Sequence, residues 1–394
     1  MTTSSSARLL DITRLSTRAG RVLTGVDRVE LAYLNKIAGD ETPAFAICRT
    51  ALGFVLLDRA GMQSFAARFT NEDWQKPDFI SLINPRLNDA TRLGQTAVRS
   101  LSIARSRPRN LSRLLSRLPI GFSYFNVGHS NLTEVVFAAV RAIKETRIVV
   151  MIHDTIPLDF PQFQRPETVR LFAAKLRRVA CYADQVICPS VSALGDAKRH
   201  LQDMGRVPQM MPASLGVDVT HSASSVAQLP EQPYFMTVGT IEPRKNHGLL
   251  LDVWAQLPEP RPTLYICGHR GWLNEDVFAR LDAGIDGVVE VNDADDAQIA
   301  ALLDGASGFL FPTLAEGFGL PPIEAAARGV PVVCSDIAVC HETLGDAAVY
   351  LDPKDRYRWE KEVMRLAVAD RSQAQHKYIP PSWDTHFKIV FTVS

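Results

Sequence analysis

The sequence predicts an α/β protein with two doubly wound domains that face a cleft. Short apolar runs alternate with amphipathic segments of helical length, which is the pattern of βαβ units around a parallel sheet. The chain has 394 residues, which is too long for one hydrophobic core and comfortable for two domains. A segment rich in Ser, Ala and Pro at 222–233 separates the two halves and is typical of a linker.

The apolar runs place the strands of both halves in order along the chain. In the first half they cover 7–12, 43–48, 122–128, 147–154 and 185–190. In the second half they cover 233–239, 263–268, 287–291, 308–313, 331–336 and 348–352. Helical patterns lie between them, for example at 245–257 and 296–306. We therefore expect an N-terminal domain over 1–222 and a C-terminal domain over 223–379.

Composition excludes several classes of protein. Basic and acidic residues number 43 each, and this balance disfavours a general nucleic-acid binder, which usually carries a basic excess. No apolar run approaches the ~20 residues of a membrane-spanning helix, and the start lacks the apolar stretch of a signal peptide. The six cysteines form no C-x-x-C pair, so we interpret them as reduced core residues of a cytoplasmic protein.

The first motif that carries chemistry is "VGTIEPRKNHGLLL" at 238–251, which follows a strand and opens a helix. Gly239 allows a tight turn there. Arg244 and Lys245 stand at the helix start, where cations are unfavourable unless an anion binds. Two cations and free backbone N–H groups suit a diphosphate. The alternative is a solvated Arg–Lys pair.

The second motif is "LAEGFGLPPIE" at 314–324, which follows the strand at 308–313. Its two prolines suit the first turn of a helix, and we place Glu324 in that turn. Glu316 lies in the loop before it. Gly317 and Gly319 would let a ligand approach backbone N–H groups. Two carboxylates around one small space suit the hydroxyl groups of a polyol, although Glu324 alone is also explained as a helix-capping acid.

These motifs together resemble glycosyltransferase family 4, whose members are retaining enzymes of the GT-B fold with two Rossmann-like domains. The segment 240–247, "TIEPRKNH", resembles the E-P-R-K-N loop of that family, 316–324 its E-x7-E motif, and 329–336 the strand that follows. The likeness is specific over 234–352. The first half is similar more loosely, at "TGVDRVELAYL", "IHDTIPLDFP", "VICPSVSA" and "LGVD".

The resemblance implies roles for the acids and cations. Glu316 would face the transferred sugar, and Glu324 would bind the ribose hydroxyls of the nucleotide. Arg244 and Lys245 would hold the diphosphate and stabilise the leaving group as its charge develops. Such enzymes are usually assigned a front-face attack. A displacement through a covalent sugar on Glu316 stays open as an alternative.

The resemblance also implies further contacts of the nucleotide sugar. A glycine loop ending at Gly25 would lie over the donor phosphate, although Thr24 before it also reads as a helix N-cap. The base would lie near Val291 and Asn292. The backbone contacts to sugar and phosphate would come from Phe318, Gly319 and Leu320.

Three residues of the first half are candidate site residues: His153 as a catalytic residue, and Asp154 and His129 on the acceptor side. His153 and Asp154 leave a buried strand, and in similar enzymes a histidine there contacts the donor sugar. His129 follows another strand in "FNVGHSN" and is a candidate for approaching the acceptor. A satisfied core histidine is the alternative for His153. The segment "SWDTHFKIVF" resembles the helix that returns to the first domain, so we expect 380–394 to complete that domain.

One acidic run resembles a metal site. Residues 293–296, "DADD", contain an Asp-x-Asp pattern that binds divalent metals in the other large glycosyltransferase fold. The run also precedes a helical pattern, and acids at a helix start explain it fully. We therefore expect no metal and no cofactor apart from the nucleotide-diphosphate sugar as co-substrate.

The strongest local charge asymmetry lies between Ala90 and Thr133, which contain no acidic residue. A basic amphipathic segment can lie on an anionic membrane surface. The alternative is a solvated face whose acidic partners come from elsewhere in the chain. The arginines of this stretch are Arg92, Arg99, Arg105, Arg107, Arg109, Arg113 and Arg117.

These observations predict a retaining glycosyltransferase that is peripheral on the cytoplasmic face of the membrane. It would use a lipid or lipid-linked saccharide as acceptor, in glycolipid or surface polysaccharide synthesis. Two alternatives are a glycosyltransferase with a soluble acceptor and a non-catalytic sugar-binding scaffold.

Overall fold

The computed structural model describes residues 5–219, 233–369 and 378–392. It contains two α/β units that face each other across a cleft, each with a sheet covered by helices on both faces. The predicted fold class is confirmed. The predicted linker lies almost entirely outside the described residues.

The N-terminal unit carries an eight-stranded sheet in the order β4-β3-β2-β1-β5-β6-β7-β8. Its strands are β1 (Arg8–Asp11), β2 (Ala44–Thr50), β3 (Gly53–Asp58), β4 (Ala104–Ser106), β5 (Ser123–Asn126), β6 (Arg147–Met151), β7 (Gln185–Cys188) and β8 (Gln209–Pro212). Its helices are α1 (Gly25–Gly39), α2 (Arg59–Asn71), α3 (Phe79–Leu82), α4 (Asp89–Ser100), α5 (Leu111–Leu115), α6 (Glu134–Arg141), α7 (Ile156–Asp159), α8 (Pro166–Tyr182) and α9 (Val191–Asp203).

The C-terminal unit carries a six-stranded parallel sheet in the order β11-β10-β9-β12-β13-β14. Its strands are β9 (Tyr234–Val238), β10 (Thr263–Cys267), β11 (Val288–Val291), β12 (Gly308–Phe311), β13 (Val332–Ser335) and β14 (Ala348–Leu351). Its helices are α10 (His247–Trp254), α11 (Glu275–Ala283), α12 (Asp296–Gly305), α13 (Leu320–Ala327), α14 (Ala338–Leu344) and α15 (Arg356–Ala367), and α16 (Trp383–Thr392) follows.

The N-terminal sheet departs from the expected parallel pattern at one edge. Strand β3 is antiparallel to both β2 and β4, so these strands form a meander rather than βαβ units. The sequence analysis missed β3, β4 and β8. Strand β4 has only three residues and carries Arg105, so no apolar run marks it.

Helix α16 packs on the N-terminal unit although it follows the C-terminal unit in sequence. The Tyr33 hydroxyl on α1 lies 2.8 Å from His386 Nε2, and the rings of Tyr33 and Phe387 are 5.0 Å apart. A Cβ atom at Gly216 would lie 2.3 Å from the Trp383 backbone nitrogen and from its ring. The backbone at Gly216 is therefore so close to α16 that only glycine fits there.

Two sequence expectations concern the whole chain. Among the described residues, no helix combines the length and the apolar character needed to cross a membrane. All six cysteines are free thiols, as expected, but Cys181 is exposed on α8 and is not a core residue. Cys181 has apolar neighbours in the sequence, but it lies on the solvent-facing side of an amphipathic helix and is therefore not buried.

Candidate active site between the two domains

The candidate site lies where the carboxyl ends of the parallel strands of both sheets face each other. Ligands of open α/β sheets bind at this edge. Strand β9 leads to the turn with Arg244 and Lys245, β12 leads to the loop with Glu316, and β6 leads to His153 and Asp154. The structure therefore brings together the predicted residues of both halves.

Gly317 marks the closest approach of the two domains. A Cβ atom at this position would lie 2.1 Å from the His153 carbonyl oxygen and 3.1 Å from Asp154 Cβ, so only glycine fits. The Ser190 hydroxyl of the N-terminal unit donates to the Gly317 carbonyl at 2.8 Å. Gly317 thus lets the opposite domain approach, and its expected part in ligand access stays a prediction.

Arg244, Lys245 and Glu316 form one compact ion cluster. Glu316 Oε1 lies 2.6 Å from Arg244 Nη1 and 2.5 Å from Lys245 Nζ. Arg244 also pairs with Glu242 at 2.6 Å, and Thr313 donates to Glu316 at 3.2 Å. The side chains of the three cluster residues are largely buried, with exposed fractions between 11% and 15%. Arg244 and Lys245 thus both form ion pairs with the same oxygen of Glu316, the predicted catalytic acid.

The charges of this cluster stabilise one another. Burial alone would raise the pKa of Glu316, but Arg244 and Lys245 lower it to about 2. Burial would likewise lower the pKa of Arg244, but Glu316 and Glu242 raise it above its usual value. Burial dominates for Lys245 and lowers its pKa, although Glu316 opposes the shift. Glu316 is the counter-charge of both cations, and Glu242 is a second one for Arg244.

The loop of Glu316 ends at a helix start that meets another helix start. Gly319 adopts a left-handed conformation with φ of 86° and precedes Leu320, the first residue of α13. A Cβ atom at Gly25, the first residue of α1, would lie 3.2 Å from Leu320 Cδ1. The amino-terminal ends of α1 and α13 therefore adjoin across the cleft. Two positive ends of helix dipoles favour an anion at this point.

The turn before α1 is organised by a buried carboxylate. Asp27 accepts hydrogen bonds from the backbone N–H of Thr24 at 2.8 Å and from its hydroxyl at 2.6 Å. Thr24 occupies the N-cap position, as one interpretation expected, but its hydroxyl donates to Asp27. Arg14 and Arg18 pair with Asp27 at 2.5 and 2.8 Å and lower its pKa against the effect of burial.

Glu324 is placed differently from the expectation. Helix α13 begins at Leu320, one residue before the two prolines, so Glu324 lies in the second turn and does not cap the helix. Its Oε1 is 2.6 Å from Nη1 of Arg28 on α1, and Arg28 Nη2 is 2.5 Å from Asp296 of α12. Burial raises the pKa of Glu324, and Arg28 partly opposes this shift. Arg28, which the sequence analysis did not single out, thus forms an ion pair with Glu324, the predicted ribose-binding residue.

The predicted base-binding residues lie at the end of β11. Val291 is half-buried and its carbonyl accepts from the Gly268 N–H at 2.9 Å, whereas Asn292 is exposed. The acidic run after them starts a helix: Asp295 is the N-cap of α12 and accepts from the Gln298 N–H at 2.8 Å. Within the described residues, no three His, Cys, Asp or Glu side chains are arranged to hold a metal ion.

The N-terminal side of the site contains a histidine pair. His153 Nε2 lies 2.7 Å from the Val127 carbonyl, and His129 Nε2 lies 2.9 Å from the Met151 carbonyl. The two rings are 5.1 Å apart. Burial lowers the pKa of His153 to about 4 and that of His129 well below its usual value. Both rings are therefore neutral at neutral pH.

Asp154 faces the ion cluster from the N-terminal side. It accepts from the Ile156 N–H at 3.1 Å. Burial raises its pKa to about 6, with Arg244 lowering and Glu316 raising it. Its titration thus depends on charges of the opposite domain.

Sequence reasoning missed a buried acid network next to the histidines. Asp11, at the end of β1, accepts from the Tyr124 hydroxyl at 2.9 Å and from Asn131 Nδ2 at 2.8 Å. Glu30 of α1 accepts from the Leu15 N–H at 2.9 Å and packs against Gly128. Burial raises the pKa of both acids, that of Glu30 well above its usual value. For Asp11 the signal was the one used for His153, a polar residue that leaves an apolar strand.

The arginine-rich stretch does not form one continuous amphipathic segment. Arg99 is buried on α4 and pairs with Asp78 at 2.6 Å, and Arg92 pairs with Asp89, so both have acidic partners from before the stretch. Arg105 donates to the Arg99 carbonyl at 2.7 Å and is exposed. The exposed arginines without an ion pair among the described residues are Arg105, Arg107, Arg109, Arg113 and Arg117.

Comparison with known proteins finds a family match in the C-terminal half of the chain. Residues 222–379 match the family model of glycosyl transferases group 1. The chain is 38% identical over 133 residues to O-antigen chain mannosyltransferase B of Escherichia coli, covering 32% of this chain and 35% of that protein. It is 29% identical over 221 residues to the serotype-specific mannosyltransferase WbdA of Escherichia coli, covering 51% and 27%. The chain thus matches about a third of the length of these relatives.

Two solved structures share the fold over nearly the whole chain. Anabaena Alr3699/HepE in complex with UDP superposes with a TM-score of 0.61 at 16% identity and covers 98% of this chain and 99% of its own. The E. coli structure of trehalose-6-phosphate bound with UDP-2-fluoro glucose superposes with a TM-score of 0.59 at 12% identity and covers 98% and 96%. At these identities the likeness concerns the fold.

Proposed function

We propose that this chain is a glycosyltransferase that uses a nucleotide-diphosphate sugar, because residues 222–379 match the family model of glycosyl transferases group 1. One observation carries the proposal. The cation pair Arg244–Lys245 lies beside the loop of Glu316, whose far end meets the adjoining starts of α1 and α13. Fixed cations and helix dipoles stabilise charge that grows on a leaving diphosphate.

The transferred sugar is mannose in this proposal. The two relatives described above are both mannosyltransferases. The acceptor is a saccharide, in the synthesis of a lipid-linked surface polysaccharide. The test is transfer or hydrolysis with a panel of nucleotide sugars, in which the mannose donors should be consumed fastest. Consumption of no member of the panel, with no binding of UDP or GDP, would contradict the proposal.

The proposed reaction retains the anomeric configuration and needs no divalent metal. Arg244, Lys245 and the helix starts already supply positive charge for the diphosphate, and Asp295 of the Asp-x-Asp run is engaged as a helix cap. The acceptor hydroxyl would attack from the face of the departing diphosphate, and Glu316 would contact the sugar. Proton NMR of the first-formed product reports its configuration, and a chelator should leave the rate unchanged.

The acceptor is proposed to lie on an anionic membrane surface. Strand β3 is antiparallel to β2 and to β4, so β4 runs in the direction of β1 and ends at the cleft edge. Arg107 and Arg109 follow it there, and Arg113 lies on the exposed face of α5. Cations near such a surface contribute about 1 kcal/mol each to membrane binding.

Exposed apolar side chains of α3 support the same surface. Phe79 and Ile83, at and just after α3, have exposed fractions of 75% and 62%. Helix α3 is held by the pair of Asp78 with Arg99, whose carbonyl accepts from Arg105. Apolar side chains beside cations are typical of proteins that bind the membrane interface.

Flotation with vesicles tests the membrane surface. The chain should bind vesicles that contain phosphatidylserine and should dissociate as salt shortens the Debye length. Replacing Arg105, Arg107, Arg109 and Arg113 by Ser should reduce binding, whereas Arg170→Ser and Arg365→Ser, at exposed paired arginines elsewhere, should not. Equal binding to neutral and anionic vesicles would favour a soluble acceptor.

A further inference from the structure

We propose that Arg28 and the nucleotide ribose compete for Glu324, so that Arg28 controls donor affinity from the opposite domain. The proposal deepens the proposed function, because it rests on Glu324 as the ribose ligand. Arg28 lies one helical turn into α1, and Glu324 lies on α13, 296 residues away in sequence. The contact joins the two domains at the side of the cleft where α1 and α13 adjoin.

The geometry makes Arg28 a specific occupant of this carboxylate. Its two terminal nitrogens bind two acids of the C-terminal domain: Nη1 contacts Glu324 at 2.6 Å and Nη2 contacts Asp296 at 2.5 Å. Burial alone would lower the pKa of Arg28, but Glu324 and Asp296 raise it, so the guanidinium stays charged. Glu324 is thus neutralised by the protein itself in the free state.

Binding of a ribose requires this contact to change. Two neighbouring hydroxyls donate to a carboxylate most favourably when each uses one of its oxygens, and Arg28 holds Oε1. Arg28 does not lose all its partners when it leaves, because Asp296 still binds Nη2. The guanidinium can therefore move from two carboxylates to one, and the ribose replaces it on Glu324.

The exchange has a moderate cost because the ion pair is not deeply buried. The exposed fractions are 33% for the Arg28 side chain and 20% for that of Glu324. Pairs of this kind contribute little individually, so removal of Arg28 should tighten nucleotide binding about three- to tenfold. The proposal predicts a gain of affinity from loss of a cation near an anionic ligand, which a merely electrostatic role of Arg28 would not produce.

The test is calorimetry of UDP and GDP, each titrated separately into the full chain and into Arg28→Ala. The Kd of the nucleotide that binds should fall about three- to tenfold in Arg28→Ala and to a smaller extent in Arg28→Lys. Lys36→Ala is the matched control, because it removes a cation from the exposed face of the same helix. Its Kd should equal that of the wild type.

A 2′,3′-dideoxy analogue of the same nucleotide isolates the ribose contact. It lacks both hydroxyls, so Arg28 need not leave Glu324, and wild type and Arg28→Ala should bind it equally. Unchanged or weaker binding of the normal nucleotide by Arg28→Ala overturns the competition, as does an equal gain for the dideoxy analogue. Failure of the wild type to bind either UDP or GDP would instead overturn the proposed function, and the competition with it.

Discussion

The cleft has two walls, one from each domain, and they stabilise their buried polar side chains in different ways. The C-terminal wall holds Arg244, Lys245 and Glu316 as ionised side chains in direct contact, with the pKa of Glu316 lowered to about 2. The N-terminal wall holds His129 and His153 as neutral rings bonded to backbone carbonyls. Burial acts on both walls, but only the first has opposite charges close enough to overcome it.

The difference indicates what each wall can bind. An ionised cation pair can exchange its carboxylate partners for a diphosphate, since the ligand restores the counter-charge. The neutral imidazoles of the N-terminal wall offer hydrogen bonds without charge, which suits sugar hydroxyls. Asp154 lies between the two cases, because it belongs to the neutral wall and faces Arg244 and Glu316.

Loss of a cation from the ionised wall should have the largest effect. Lys245→Ala is expected to lower the rate of sugar transfer about a hundredfold, because one preorganised charge at a leaving group typically contributes ~3 kcal/mol. Lys361→Ala, at an exposed lysine of the same domain, should leave the rate unchanged. A rate for Lys245→Ala near that of the wild type would break the assignment of this wall to the diphosphate.

The two glutamates should separate binding from turnover. Glu324→Gln is expected to weaken nucleotide binding about tenfold, since a charged acceptor of hydrogen bonds is lost. Glu316→Gln should leave nucleotide affinity intact, because Arg244 and Lys245 are then free for the diphosphate, and should lower kcat instead. Calorimetry with the nucleoside diphosphate and steady-state kinetics measure the two quantities. Equal losses of affinity would remove the division of roles.

The pH dependence of Asp154 tests how the charges of the C-terminal wall affect a residue of the N-terminal wall. Its pKa is raised from 3.8 to about 6, so its contribution to stability is fully present below pH 3.8 and is lost as the pH rises through about 6. Asp154→Asn keeps an acceptor for the Ile156 N–H and should stabilise the protein above pH 7 by roughly 1–3 kcal/mol. Thermal unfolding at pH 4.5 and at pH 8 measures this, and a variant that is less stable at pH 8 would contradict it.

The smallest effect is expected from the histidine pair. Because burial lowers the pKa of His153 to about 4 and that of His129 well below its usual value, neither ring should gain a proton between pH 8 and pH 6. Their ring proton shifts, assigned by NMR with His129→Gln and His153→Gln, should stay constant over this range. A titration near pH 6.5 would show that the N-terminal wall carries charge.

Sequence predicted those features that a short window contains. The strands of the second half are marked by short runs rich in apolar residues, and Arg244, Lys245 and Glu316 lie in the loops that follow two such strands. Glu324 was assigned to the first turn because the two prolines were taken as the helix start, whereas the left-handed Gly319 lets α13 begin at Leu320. The predicted start of α13 is wrong by one residue. This difference decides whether Glu324 caps the helix or faces the other domain.

The features that sequence missed depend on contacts between distant segments. Arg28 and Glu324 are 296 residues apart, and nothing in either local pattern links them. Gly317 was interpreted as ligand access because its role is defined only by His153 of the opposite domain. Asp11 and Glu30 are buried acids, a class that is rarely predicted inside a fold because its cost is offset by specific partners.

The position of α16 has a consequence for the order in which the chain folds. The Tyr33 hydroxyl contacts His386, which lies 353 residues later in the chain. His386 Nδ1 also lies 3.0 Å from the Ser214 carbonyl. During synthesis, the segment up to 219 emerges with one face of α1 uncovered, while the segment 233–369 can complete its own sheet first. The N-terminal unit should therefore reach its final stability only after the ribosome has released α16, and a chaperone would find its exposed surface around Tyr33 and Phe125 until then.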